Sequence, residues 1–115
     1  MSSSFSRKDW RSAARRTALS PTQLVSALAH ADGWRLEGSG DRAGIEKSFQ
    51  FADYFETIAF VNAVAFIAHG ADHHPDLQVH YNRCVVRLST HDVQGVSSTD
   101  FECAARIDAL LGAQP

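Results

Sequence analysis

Apolar residues along this chain recur with two different periods, and the switches between them divide it into seven elements. Ser20-Pro21 opens a first helix, with Ser20 suited to the N-cap and Pro21 to the first helical position. Leu24, Val25, Leu28 and Ala29 then recur at three- and four-residue spacing until Asp32-Gly33 closes the helix. Trp34 and Leu36 alternate with Arg35 and Glu37 as a short half-buried strand, and Gly38 to Asp41 is a loop by composition. Ile45, Lys47, Phe49 and Phe51 alternate with Glu46, Ser48 and Gln50, so the two strands form a hairpin. Asp53 followed by Glu56 is a capping box that opens a long helix. That helix carries one stripe of Ile58, Val61, Ala65 and Ala68 and a second of Phe60, Val64 and Ile67, and it ends near Gly70, ahead of Pro75. An apolar face this wide predicts cover from more than the helix's own sheet, a second subunit included.

A third strand is predicted where Val79 and Tyr81 alternate with His80 and Asn82, and a fourth where Cys84, Val86 and Leu88 alternate with Val85, Arg87 and Ser89. A turn near Asn82-Arg83 joins them. Ser97 with Asp100 is a second capping box, and Phe101, Ala104, Ile107 and Leu111 line a last helix before Gly112. The order α-β-β-α-β-β-α predicts an α+β fold, a four-stranded antiparallel sheet with three helices packed on one face.

At 115 residues the chain has the length of one domain, expected over residues 19–115 behind a flexible basic tail at 1–18. Arg7, Lys8, Arg11, Arg15 and Arg16 give that tail a transit-peptide flavour, and a short solvated arm is the reading preferred. A net charge of −2 argues against direct nucleic-acid binding and against docking on an anionic membrane, since both need a basic face. No apolar run approaches the roughly twenty residues of a membrane span. Cys84 and Cys103 lack metal-ligand spacing and sit in apolar patterns, so two buried free thiols in a reducing cytoplasm are expected ahead of the alternative, one disulfide.

Four of the six histidines, His73, His74, His80 and His91, fall between Asp72 and His91. Imidazole is the side chain whose ordinary pKa lets it give and take protons near neutral pH. The order His69, His73-His74-Pro75, Tyr81, His91 and Asp100 resembles the pterin-4a-carbinolamine dehydratases. Gly33-Trp34, Phe49-Gln50-Phe51, Ser89-Thr90-His91-Asp92 and the closing Asp100 helix extend the likeness over residues 19 to 111. The resemblance implies a hydro-lyase that dehydrates 4a-hydroxytetrahydropterin to quinonoid dihydropterin and so recycles the pterin cofactor of aromatic amino acid hydroxylases. It needs no metal and no bound cofactor. It implies that His73 and His91 share acid and base work while His74 holds the pterin, all three being catalytic-site residues. Asp72, Ser89, Thr90 and Asp92 then line the substrate pocket, and Asp100 orients or tunes a histidine. His69 stands where many relatives carry glutamate, which bears on the pH optimum more than on the reaction. A homodimer or homotetramer is implied as well.

Blander readings stand beside these. His73-His74 can be a polar helix end before Pro75, Asp100 can serve only its capping box, and Asp72 can merely cap backbone amides. His80 is expected to face solvent, and Tyr81, Phe49, Phe51 and Phe60 to be core. His69 and His73 lie one helical turn apart, a spacing also used for zinc, but the helix end falls between them and any third ligand. The rival class is an interaction module that captures a partner's helix, as a dimerisation or coactivator protein would, on the wide apolar face.

Overall fold

The computed structural model describes residues 17–93 and 95–112. The tail expected at 1–18 lies outside them except for its last two residues, and Ala18 forms an antiparallel bridge with Ser97. Helix α1 (Pro21–Ala29) begins as its sequence predicts: the Gln23 N–H donates to the Ser20 hydroxyl, and the Gln23 side chain accepts the Ser20 N–H. Leu24 and Leu28 pack on the core, while Val25 is exposed.

Strands β1 (Arg35–Glu37), β2 (Gly44–Gln50), β3 (Asp76–Val79) and β4 (Arg83–Leu88) form one antiparallel sheet in the order β1-β2-β4-β3. The hairpins β1–β2 and β3–β4 meet through β2 and β4, the two central strands. The register sets Ile45 opposite Leu88, Phe49 opposite Cys84, and Leu77 opposite Val86, all on the inner face. Lys47 shares that face and is accommodated by its partners. Its Nζ donates to Asp108 Oδ1 (2.9 Å) and to the Asp32 carbonyl (3.1 Å), and it lies 5.0 Å from the centre of the Phe49 ring. The Trp34 indole N–H donates to the other oxygen of Asp108, so this carboxylate fastens the last helix to the first hairpin.

The third strand differs from its expected place. It starts directly after Pro75 and ends at Val79, so its core residue is Leu77, and Tyr81 stands in the turn. The His80 N–H donates to the Arg83 carbonyl, which leaves Tyr81-Asn82 as the two turn residues. Tyr81 is 64% exposed and stacks on Tyr54, so it is not core. Leu36 is also exposed, because β1 is a three-residue edge strand with little above it.

Helix α2 (Tyr54–Ala71) buries Thr57, Phe60, Val64, Ala68 and Ala71, a single stripe at helical spacing. Of the two stripes read from the sequence, the one holding Phe60 and Val64 faces the sheet, and Ala65 of the other is exposed. Thr57 is buried because its hydroxyl lies 2.9 Å from both the Asp53 and the Tyr81 carbonyls, which ties the start of α2 to the β3–β4 turn. At 18 residues α2 is long and apolar enough to cross a membrane by length and mean composition alone, although Glu56, Thr57, Asn62 and His69 interrupt its apolar run. Its inner stripe is committed to the sheet of its own domain. Helix α3 (Ser98–Ala109) packs Cys103, Ala104 and Ile107 into the same core. Cys84 and Cys103 are both buried as thiols.

Candidate active site

The end of α2 delivers the first histidine. Asp72 adopts the left-handed conformation (φ 53°, ψ 44°), which non-glycine residues seldom occupy and Asp tolerates better than most. The Asp72 N–H then reaches the His69 carbonyl and the His73 N–H the Ala68 carbonyl, the two bonds of a Schellman motif. This reversal turns the chain so that the His73 ring is carried inward, 5% exposed, while His74 and His69 remain on the surface. Pro75 leads straight into β3.

The end of β4 delivers the second group. Thr90 and Gly95 bridge each other, the Thr90 N–H donating to the Gly95 carbonyl at 2.8 Å. Between them His91–Val93 form a 3-10 turn that leaves His91 and Asp92 exposed and Thr90 fully buried.

The start of α3 delivers the group that joins these two. Asp100, at the third position of the helix, is fully buried. Its Oδ1 lies 2.6 Å from His73 Nε2, and its Oδ2 accepts from the Thr90 hydroxyl at 2.7 Å and from the Ser97 N–H at 2.9 Å. Thr90 Oγ1 is also 2.7 Å from Ser97 Oγ. A buried carboxylate is costly unless its lone pairs are used, and here two donors and the His73 ring nitrogen meet it.

Of the residues predicted for the site, the structure therefore bonds His73, Thr90 and Asp100 into one buried chain. His74 and His91 follow His73 and Thr90 directly, so each exposed imidazole is one residue from a buried member of that chain. Asp72 and Asp92 are exposed and Ser89 is half-buried. His69 is exposed on the last turn of α2, and His80 faces solvent as expected. Ser97 was legible only as a helix cap; its hydroxyl belongs to the buried chain as well. The capping-box spacing placed one oxygen of Asp100, while the second is aimed by a tertiary contact across 27 positions. Among the described residues no three His, Cys, Asp or Glu side chains are grouped to hold a metal ion.

Residues 17–110 match the family model for pterin 4 alpha carbinolamine dehydratase. A protein of Paracidovorax citrulli named as a pterin-4-alpha-carbinolamine dehydratase is 64% identical over 112 residues, which covers 97% of this chain and 96% of that one. Among solved structures, a transcriptional coactivator/pterin dehydratase from Brucella melitensis is similar with a TM-score of 0.77 and 32% identity, covering 84% of this chain and 100% of the other. A pterin dehydratase-like protein identified as a RuBisCO assembly factor in the alpha-carboxysome is similar with a TM-score of 0.62 and 27% identity, covering 74% and 96%.

Proposed function

The chain belongs to the pterin 4 alpha carbinolamine dehydratase family, and from that premise we propose that this hydro-lyase dehydrates 4a-hydroxytetrahydropterin by histidine acid–base catalysis. In that reaction the C4a–O bond breaks and the hydroxyl leaves as water, taking a proton from an acid. The N5–H proton passes to a base, and its electron pair forms the C4a–N5 double bond of quinonoid dihydropterin. Hydroxide is a poor leaving group, so the reaction needs both a donor and an acceptor. Two positioned imidazoles supply them, each proton transfer contributing about 10²- to 10⁴-fold. His73 and His91 take these roles and His74 holds the ring. Asp72, Ser89 and Asp92 border the pterin, whereas Thr90, expected there as well, is fully buried and acts through its hydrogen bond to Asp100, and Asp100 orients His73. The product re-enters the cofactor cycle of an aromatic amino acid hydroxylase. A reducing cytoplasm suits the two buried thiols.

The observation that carries this reading is the single carboxylate spanning the two histidine segments. Asp100 contacts both His73 and Thr90, the neighbour of His91, which supports a site shared by the two segments that carry the histidines. The test is to mix the purified protein with freshly generated carbinolamine and follow its ultraviolet decay. Faster decay that is lost on His73→Ala and on His91→Ala is expected. A decay no faster than in buffer, or undiminished in both variants, overturns the assignment.

The outer side of α2 supports a second role, that of an assembly surface. Phe55 is 81% exposed and Phe66 59%. Phe55 also lines an apolar groove with Phe51, Phe60, Leu110 and Leu111. Self-association as a homodimer or homotetramer would cover this side, and capture of a partner's helix is the alternative use. The solved relatives described as a transcriptional coactivator and as an assembly factor support an assembly role for this fold.

A further inference from the structure

We infer that neutral His73 is held with its proton on Nε2, so that Nδ1 is the ring atom left to exchange protons, and that the Ser97 and Thr90 hydroxyls are positioning residues for this state. The catalytic consequence rests on the dehydratase reading; the assignment of the proton does not.

The direction of each hydrogen in the buried chain follows from its members' capacities. An ionised carboxylate only accepts. The backbone N–H of Ser97 only donates, so its 2.9 Å contact with Asp100 Oδ2 has one direction. Thr90 Oγ1 sits 2.7 Å from both Asp100 Oδ2 and Ser97 Oγ and has one proton. That proton goes to the carboxylate, since Asp100 has none to offer. Ser97 must then donate its own hydroxyl proton to Thr90, whose lone pair is free to accept. With Oδ2 serving two donors, Oδ1 faces His73 Nε2 at 2.6 Å, and this contact is a hydrogen bond only if Nε2 carries the hydrogen. The order is Ser97 to Thr90, Thr90 to Asp100, and His73 to Asp100. A buried carboxylate that holds an imidazole in one tautomer is the usual device for making the opposite nitrogen the working one. The arrangement also keeps a proton on Nε2 through every turnover, so donation and acceptance both fall to Nδ1.

The experiment is ring-nitrogen NMR on protein labelled with 15N-histidine, with His73 assigned by His73→Ala and spectra taken at a pH where the ring is neutral. The expected result is a protonated-type resonance for Nε2 and an unprotonated-type resonance for Nδ1. The Asp100→Asn variant should reverse them. Its amide oxygen is claimed by the Ser97 N–H and the Thr90 hydroxyl, which turns the NH2 group toward Nε2 and moves the ring proton to Nδ1. In the same variant kcat should fall about 10²-fold or more with KM little changed. Thr90→Val should lower kcat about tenfold or more, the loss of one hydrogen bond to a charged group, and Thr90→Ser should restore it. A wild-type ring protonated on Nδ1 overturns the inference outright, and that spectrum needs no variant to fold. So does an Asp100→Asn protein that keeps the wild-type tautomer. An Nε2-protonated ring in a protein without dehydratase activity would remove the proposed function and leave the proton assignment standing. The reverse pairing would remove only the assignment.

Discussion

Truncating Asp100 to alanine should cost far more than a surface change, and the structure gives the size. The carboxylate accepts from His73 Nε2, the Thr90 hydroxyl and the Ser97 N–H, and it has no exposed surface. The Thr90 hydroxyl can re-aim at Ser97 Oγ, 2.7 Å away, so its bond is recoverable. The ring N–H and the Ser97 N–H have no such substitute. Each stranded buried donor costs about 1–3 kcal/mol, or about 2–6 kcal/mol for the pair. Two effects oppose this: a buried charge disappears, and water can occupy part of the vacated space. The expected loss is therefore about 2–4 kcal/mol. In a domain of this size each kcal/mol moves Tm by about 4–8 °C, which gives a drop of about 10–30 °C. Urea unfolding followed by circular dichroism measures the first quantity and a thermal scan the second. A loss under about 1 kcal/mol would mean that the buried chain adds little to the fold, and the reasoning would fail.

Three further outcomes follow from other parts of the molecule. Gly38 has φ 77°, and a Cβ there would sit 2.4 Å from the Arg42 carbonyl oxygen, whereas a Cβ on Gly40 meets nothing within 4 Å. Gly38→Ala should therefore lower the urea midpoint by more than Gly40→Ala, and equal losses would show that the 38–42 turn yields without cost. Burial pushes the Cys84 thiol up from its ordinary value, so the unfolded chain ionises first. Its contribution to stability is whole below the ordinary thiol range and is lost as pH rises above it. Unfolding free energies of wild type and Cys84→Ala should converge with rising alkalinity; a gap that widens would reverse the sign. Phe55→Asp places a charge where an 81% exposed ring lies in the apolar groove, and light scattering should report a smaller particle than wild type. A wild-type protein that is already monomeric at assay concentrations removes the self-association reading.

The elements that the sequence displayed best are those with local signals at both ends. Ser20-Pro21, Asp53 with Glu56, and Ser97 with Asp100 marked the starts of the three α-helices among the described residues, because a helix's first N–H groups are satisfied by residues within a few positions. The β2 and β4 faces were equally plain, since every second residue enters the core. β3 was misplaced because its four residues contain two apolar side chains, Leu77 and Val79, and the polar Gln78 and His80 on either side of Val79 extend an alternation that the backbone does not follow. What stayed hidden was long-range. Nothing near Lys47 foretold Asp108 and Trp34, and nothing near Thr57 foretold the Tyr81 carbonyl. The histidines were visible as a cluster, but the burial of His73 beside the exposed His74 and His91 depends on the left-handed turn at Asp72 and the bridge between Thr90 and Gly95.

Helix α2 is pinned at its start by Thr57 and halted at its end by Asp72, and this makes it a ruler. Adding or deleting one residue between those points would advance everything beyond it by about 1.5 Å and swing it by about 100°, carrying His73 away from Asp100. Surface loops of such a domain can lengthen and shorten freely over evolution. The span of α2 cannot, and a relative that changes it must either rebuild the far end or abandon the chemistry.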